Sequence, residues 1–251
     1  MVLTGVNTYT GATTISRGTL RISGAGLIGN GSYSPNITNN GAFNVATSAN
    51  QTLTGVISGS GTLTQSGSGT TILSANNTYT GATTVSAGVL QVGNGGTTGS
   101  LATASNLSIA TGGTLRFSRS DVFPTMLTIA NAVTGDGTLE FRSTGGNGNG
   151  QFTLTGANTL SASAVILINQ ARLQVDGQAG LSANLPLVRV LAGGQLYINR
   201  TGTIANPLEL GAGLGWRETD GSQLGILHVP SWGAAGPVSY THLRAHETPE
   251  H

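Results

Sequence analysis

The side chains able to act on a substrate are few. Before residue 238 the acids are Asp121, Asp136, Glu140, Asp176, Glu209, Glu218 and Asp220, and the only histidine is His228. A glycoside hydrolase needs two carboxylates facing one bond, and a lyase needs acidic calcium ligands beside a base. The acids share no common phase except in the stretch WRETDGS. There Trp216, Arg217, Glu218 and Asp220, joined by His228, make the one chemically dense patch, and aromatic plus polar groups suit a glycan or another interaction partner. The same stretch also reads as a terminal unit or a loop at a junction.

Other motifs carry less. GAGLIG (Gly24 to Gly29) matches the dinucleotide fingerprint, but no helical pattern follows it to supply a phosphate-binding N-terminus. GGNGNGQFT (Gly145 to Thr153) approaches a calcium-binding nonapeptide, yet Gly150 stands where the aspartate is needed, so it reads as a loop. Arg116, Arg119 and Arg142 form a small basic patch if their strands stack. N-x-[ST] matches at Asn36, Asn50, Asn76, Asn106 and Asn199 follow from the abundance of Asn, Ser and Thr. Of the four histidines, His242, His246 and His251 fall in the tail VSYTHLRAHETPEH; His242 and His246 have the spacing of a helical metal pair but no helix-forming context. That tail resembles peptide translated from sequencing-adapter DNA, so residues 238–251 are expected to be artefactual and unstructured.

No catalytic residue, cofactor or metal is therefore expected. A formal net charge of +1, with the ten cationic residues all arginine and scattered, excludes an electrostatic footprint for nucleic acid or an anionic membrane. No apolar run approaches the ~20 residues of a spanning helix. With no cysteine, nothing can be locked by oxidation.

What positions these residues is repetition. NTYTGATTISRGTLRI (Asn7 to Ile22) recurs as NTYTGATTVSAGVLQV (Asn77 to Val92), with eleven of sixteen positions identical. A degraded copy runs from Leu154 to Val175. Between them lie related units, among them LTGVISGSGTLTQSG and IANAVTGDGTLEFRS. In each unit a Gly-containing turn precedes an alternating strand, as in GTLRI, GVLQV, GTLRF, GTLEF and GQLYI. Period 2 puts Leu20/Ile22, Leu90/Val92, Leu115/Phe117, Leu139/Phe141 and Leu196/Ile198 on one apolar face. Between the strong copies the inward positions change only Ile15 to Val85 and Ile22 to Val92, which a packed core tolerates. Outward Arg17, Thr19 and Arg21 become Ala87, Val89 and Gln91.

Units of ~20 residues that cannot bury their own apolar face must stack. The expected fold is all-β, a right-handed parallel β-helix of about nine rungs spaced ~4.8 Å apart, with like residues above like and Thr and Asn ladders along the rod. An antiparallel sandwich is the alternative, but it has no need of repeated sequence.

The phrase LTGxNTYTGxTTIxxGxLxV resembles the autotransporter-associated β-strand repeat of bacterial autotransporter passenger domains. The strong copies at Leu3 to Ile22 and Leu73 to Val92 carry the resemblance. It implies export across the inner membrane, passage through the protein's own C-terminal translocator barrel, absent from this chain, and display at the cell surface or release. The chain then reads as a passenger fragment, with residues 1–237 the β-helix and Met1 a truncation point. Its implied function is a surface-displayed stalk or adhesion scaffold, whose partners are host or bacterial surface glycans or proteins. The alternatives are a glycan-active β-helix enzyme and a carbohydrate-binding solenoid; a low aromatic content, 5%, counts against the latter.

Overall fold

The computed structural model describes residues 1–144, 150–175, 181–191, 193–198, 206–210, 226–228 and 243–245. Among the described residues every strand pairing is parallel, and the chain winds as a β-solenoid of about eight turns, close to the nine expected. Each turn visits three faces in a fixed order. Sheet 1 holds eight strands, from Val2–Leu3 and Thr19–Gly24 to Thr159–Leu160. Sheet 2 holds ten, from Ser32–Tyr33 and Gln51–Leu53 to Leu208–Leu210 and Leu243–Ala245. Sheet 3 comes in two parts. The first is Thr13–Ile15, Ile37–Asn39 and Ile57–Ser58; the second runs from Leu127–Ile129 through Gly150–Leu154, Ala171–Val175 and Gln195–Ile198 to Ile226–His228. An isolated bridge between Asn76 and Ser100 lies between them.

The alternation read in the sequence decides which way each side chain points. Along sheet 2 the inward column Leu53, Leu73, Val92, Phe117, Phe141, Ile168 and Val190 stacks in register. All seven are buried. Each such side chain contributes roughly 1.5–3 kcal/mol on leaving water, so the column fills the rod in place of a central core. Two rings in it, Phe117 and Phe141, stack at 6.0 Å between centroids, and Phe141 reaches sheet 3, tilting onto Phe152 at 5.3 Å. Outside, sheet 1 carries the expected hydroxyl ladder, with Thr64, Thr84, Ser108, Thr134 and Thr159 one above another.

Turn length varies while register holds. Phe43 pairs with Leu63, 20 residues on, whereas Leu139 pairs with Ile166, 27 residues on. The extra residues go into loops at the corner between sheets 2 and 3. One is pinned from inside: Arg119 forks onto Asp121, with Nε to Oδ2 at 2.5 Å and Nη2 to Oδ1 at 2.7 Å, and also donates to the carbonyls of Gly99 (2.7 Å) and Thr97. Both ion-pair partners are buried. GAGLIG follows the strand Thr19–Gly24 of sheet 1 and runs into a one-turn 3-10 segment at Gly29–Gly31, which is too short to bind a phosphate. Within the tail expected to be unstructured, Leu243–Ala245 pair with Leu208–Leu210.

Candidate functional site

The duplicated phrase builds the same device twice. In the second copy Tyr79 is fully buried and its hydroxyl meets Thr83 Oγ1 at 2.7 Å. Thr83 Oγ1 lies 3.0 Å from Ser105 Oγ, and Ser105 donates to the Gly81 carbonyl at 2.8 Å. Since the one serine proton is committed to that carbonyl, Thr83 donates to Ser105 and Tyr79 donates to Thr83. The first copy has Tyr9 against Thr13 at 3.0 Å, Thr13 against Tyr33 at 2.6 Å, and Tyr33 donating to the Gly11 carbonyl at 2.5 Å. Gly11 and Gly81 are the same position of the phrase. Each relay leaves one turn, crosses to the next and returns, so the Thr, Tyr and Gly letters are those that lock neighbouring turns. Burial pushes the Tyr33 and Tyr79 hydroxyls above the usual value near 10.

The leading asparagine locks the opposite way as well. Asn77 Nδ2 donates to Ala75 O at 2.8 Å and to Ser100 O of the next turn at 3.3 Å, while its Oδ1 accepts Ile57 N–H of the preceding turn at 2.9 Å. Asn7 repeats the two donations, to Gly5 O and Leu27 O, and Asn158 repeats the acceptance, from Val133 N–H. Side-chain oxygens of Asn36, Asn50 and Asn76 take N–H groups of Val56, Thr70 and Gly99. Those three glycosylation-like matches are thus turn-to-turn bonds. Gly88 adopts φ +62°, as Gly18 does at φ +70°. A Cβ at Gly88 would fall against the carbonyl oxygens of Gly67 and Gly69, so no other residue fits that corner.

The copies do not lie above one another, which corrects the expectation that equivalent residues stack. Leu20 and Ile22 of the first copy are on sheet 1, Leu90 and Val92 of the second on sheet 2, and Leu173 and Val175 of the third on sheet 3. Three turns carry Thr13 through Ile37 and Ile57 to the level of Asn77. The phrase itself returns six residues later, so the residue equivalent to Thr13 is Thr83, which lies on sheet 1 and not above Thr13. Each copy is therefore turned by one face.

At the first turn the phrase is less covered. Tyr9 is 38% exposed where Tyr79 is 0%, and the adjoining depression is lined by Leu3, Tyr9, Ile15 and Leu20.

Of the residues with chemical potential, Trp216, Arg217, Glu218 and Asp220 lie outside the described residues. His228 ends the strand Ile226–His228, in register with Tyr197. The basic patch does not assemble as three free cations. Arg116 pairs with Glu140 at 2.7 Å and also reaches Gln91, and Arg119 pairs with Asp121. Among the described residues no group of His, Asp or Glu is arranged to hold a metal, and no helix is long and apolar enough to cross a membrane, which says nothing of β-barrels. The Arg119–Asp121 pin escaped sequence reading because nothing at i, i+2 distinguishes a buried pair from two solvated charges.

A family model described as Passenger-associated-transport-repeat matches residues 1–22 and 63–92. Those two segments are similar to the passenger-associated transport repeat. Those matches end within the strand Thr19–Gly24 and with the strand Gly88–Val92; they contain the Tyr9–Thr13 and Tyr79–Thr83 pairs, while the relay partners Tyr33 and Ser105 lie outside them. The third copy lies beyond them, and there the relay is gone: Leu160 and Ala164, both buried, stand where Tyr79 and Thr83 stand. No curated protein and no solved structure matches the chain.

Proposed function

We propose that the chain is a rigid scaffold segment of an autotransporter passenger, a stalk that carries binding elements away from the cell. The observation that supports this most directly is the clamp. Asn77 joins three successive turns, and the Tyr–Thr relay joins two, with every polar group directed into the rod and none toward a ligand. Export through a C-terminal translocator barrel, display at or release from the surface, and an adhesive role for the complete passenger belong to the same reading. Residues 1–237 serve as the solenoid, and of the tail from 238 to 251 only the short strand Leu243–Ala245 is described, paired with Leu208–Leu210. The role is structural rather than enzymatic: Asp121 and Glu140, two of the acids that an enzyme would use, are held in ion pairs. In this reading the chemically dense residues Trp216, Arg217, Glu218 and Asp220, with His228, meet a surface glycan or protein.

Insertion of the chain between a signal sequence and a translocator barrel tests the proposal. Surface-exposed, protease-resistant solenoid is the expected outcome, with slower surface arrival when Asn77 and Tyr79 are both replaced by alanine. Retention of the wild-type chain in the periplasm would refute the reading.

A further inference from the structure

The outward face of sheet 3 differs from the other two. On sheets 1 and 2 Gln51, Gln65 and Gln91 are structural residues. Gln51 binds both the N–H and the carbonyl of Ile28, Gln65 reaches Gly67 O, Gly69 O and Thr71, and Gln91 reaches Gly93 O and Arg116. On sheet 3 no such bond is made by the long amides among the described residues. Gln151, Arg172 and Gln195 form one outward column on neighbouring strands, and Gln174 and Tyr197 form the column beside it. Among the described residues neither Gln174 nor Gln195 has a side-chain hydrogen bond, and Gln151 Oε1 is shielded from water without a partner. A shielded acceptor left unmet costs about 1–3 kcal/mol, so such atoms are rare in stable folds unless something else meets them.

Among the described residues the charge on this face is one-sided. Its strands Gly150–Leu154, Ala171–Val175 and Gln195–Ile198 contain no acid. Arg172 has no carboxylate partner among the described residues; instead its guanidinium lies over the Tyr197 ring at 4.3 Å. Stacking uses the flat face of the guanidinium and leaves the in-plane N–H groups free to fork onto an oxyanion. Arg142, at the end of the sheet 2 strand that leads toward this face, has a shielded Nε that also lacks a partner.

We propose that the outward face of sheet 3 is a binding strip for an acidic polysaccharide lying along the rod. Arg172 takes the sugar carboxylate. Amides donate and accept at once, so Gln174 and Gln195 suit pairs of adjacent hydroxyls. The strands present one such group every ~4.8 Å along the axis, a spacing that a linear polymer meets repeatedly and a small solute only once. The inference concerns this chain in isolation and does not depend on its export.

The test is affinity electrophoresis of the full chain in gels containing polygalacturonate, with dextran and polyglutamate as comparison polymers. Polygalacturonate should retard the chain, while dextran lacks the carboxylate and polyglutamate lacks the hydroxyls, and both should leave it unretarded. The Arg172→Gln/Gln195→Ala variant should bind polygalacturonate at least tenfold more weakly, and Gln174→Ser, a smaller change at an outward position, several-fold more weakly. Equal retardation by polyglutamate would reduce the strip to a cationic patch and overturn the proposal. So would dextran binding as tightly as polygalacturonate, an unretarded wild-type chain, or folded variants, judged by unchanged far-UV spectra, that bind as the wild type does.

Discussion

The hydroxyl relay of the second copy can be tested with a double-mutant cycle. Tyr79→Phe removes one donor but leaves Thr83 bonded to Ser105 and Ser105 to Gly81 O. The expected loss is that of one ordinary hydrogen bond, about 1 kcal/mol. Thr83→Val is worse despite its near-identical shape. It strands the Tyr79 hydroxyl at a site with no exposure, and an orphaned buried donor costs about 1–3 kcal/mol in addition to the lost bond to Ser105. The double variant contains no stranded hydroxyl, so it should be hardly less stable than Thr83→Val alone. That gives a coupling of about 1 kcal/mol or more, within the range for groups in direct contact. The third copy has already made an analogous double change, with Leu160 and Ala164 buried in the equivalent places. Urea denaturation followed by far-UV circular dichroism supplies the four stabilities, and a common slope would show that the unfolded states are comparable. Losses that simply add, to within about 0.3–0.5 kcal/mol, would show that Tyr79 and Thr83 do not act as one unit and would refute the relay.

Four further outcomes follow from named positions. Gln170 sits at φ +55° at the tight corner between the strands Val165–Asn169 and Ala171–Val175, so Gln170→Gly should raise stability by about 0.5–1 kcal/mol in the same titration, the relief of left-handed strain exceeding the entropy of glycine. Gly88→Ala should do the opposite, lowering stability by at least about 1 kcal/mol, because the corner has both a positive φ and backbone carbonyls where the methyl would go. Phe141→Ala, which removes the ring between Phe117 and Phe152, should cost about 3–5 kcal/mol and lower the thermal midpoint more than any outward substitution. Tyr79 should stay protonated as the pH rises past 10, since burial raises its folded value above the unfolded one. The unfolded chain then releases that proton first, so stability should be level below about pH 10 and decline above it, a decline that Tyr79→Phe should reduce.

Much of the fold was legible because one physical rule governs both sequence and structure. A strand with one wet face must alternate, and Leu90/Val92, Leu115/Phe117 and Leu139/Phe141 alternate and are buried as that rule requires. Ser105 as partner of Thr83 was not legible. It lies 22 residues downstream in a loop without a repeat pattern, and only winding the chain brings it to the relay. The same holds for Arg119, whose carbonyl partners at Gly99 and Thr97 belong to a loop of the preceding turn. Alternation alone does not separate Gln151, Gln174 and Gln195 from the outward Gln91. Gln91 is satisfied because Arg116 and Gly93 lie within its reach, and that depends on neighbouring turns which a single strand does not reveal.

The spacing of the copies resolves what the repetition accomplishes. From the second copy to the third, three turns carry Thr83 through Leu107 and Val133 to the level of Asn158. The residue equivalent to Thr83 is Ala164, again six positions beyond. The first interval spans 70 residues and the second 81, so the intervals differ by eleven while the excess over three turns is the same. Loops inserted at the corner between sheets 2 and 3 lengthen individual turns and leave the phase untouched. What the repeat preserves is therefore not its distance along the chain but an advance of one strand and one corner. With that advance Asn7, Asn77 and Asn158 clamp three different corners in succession. A phrase that returned to the same face each time would reinforce one edge of the rod and leave the others to weaker ladders. Turned by a face at each return, the clamps wind around the axis, and stiffness is shared among all three sheets.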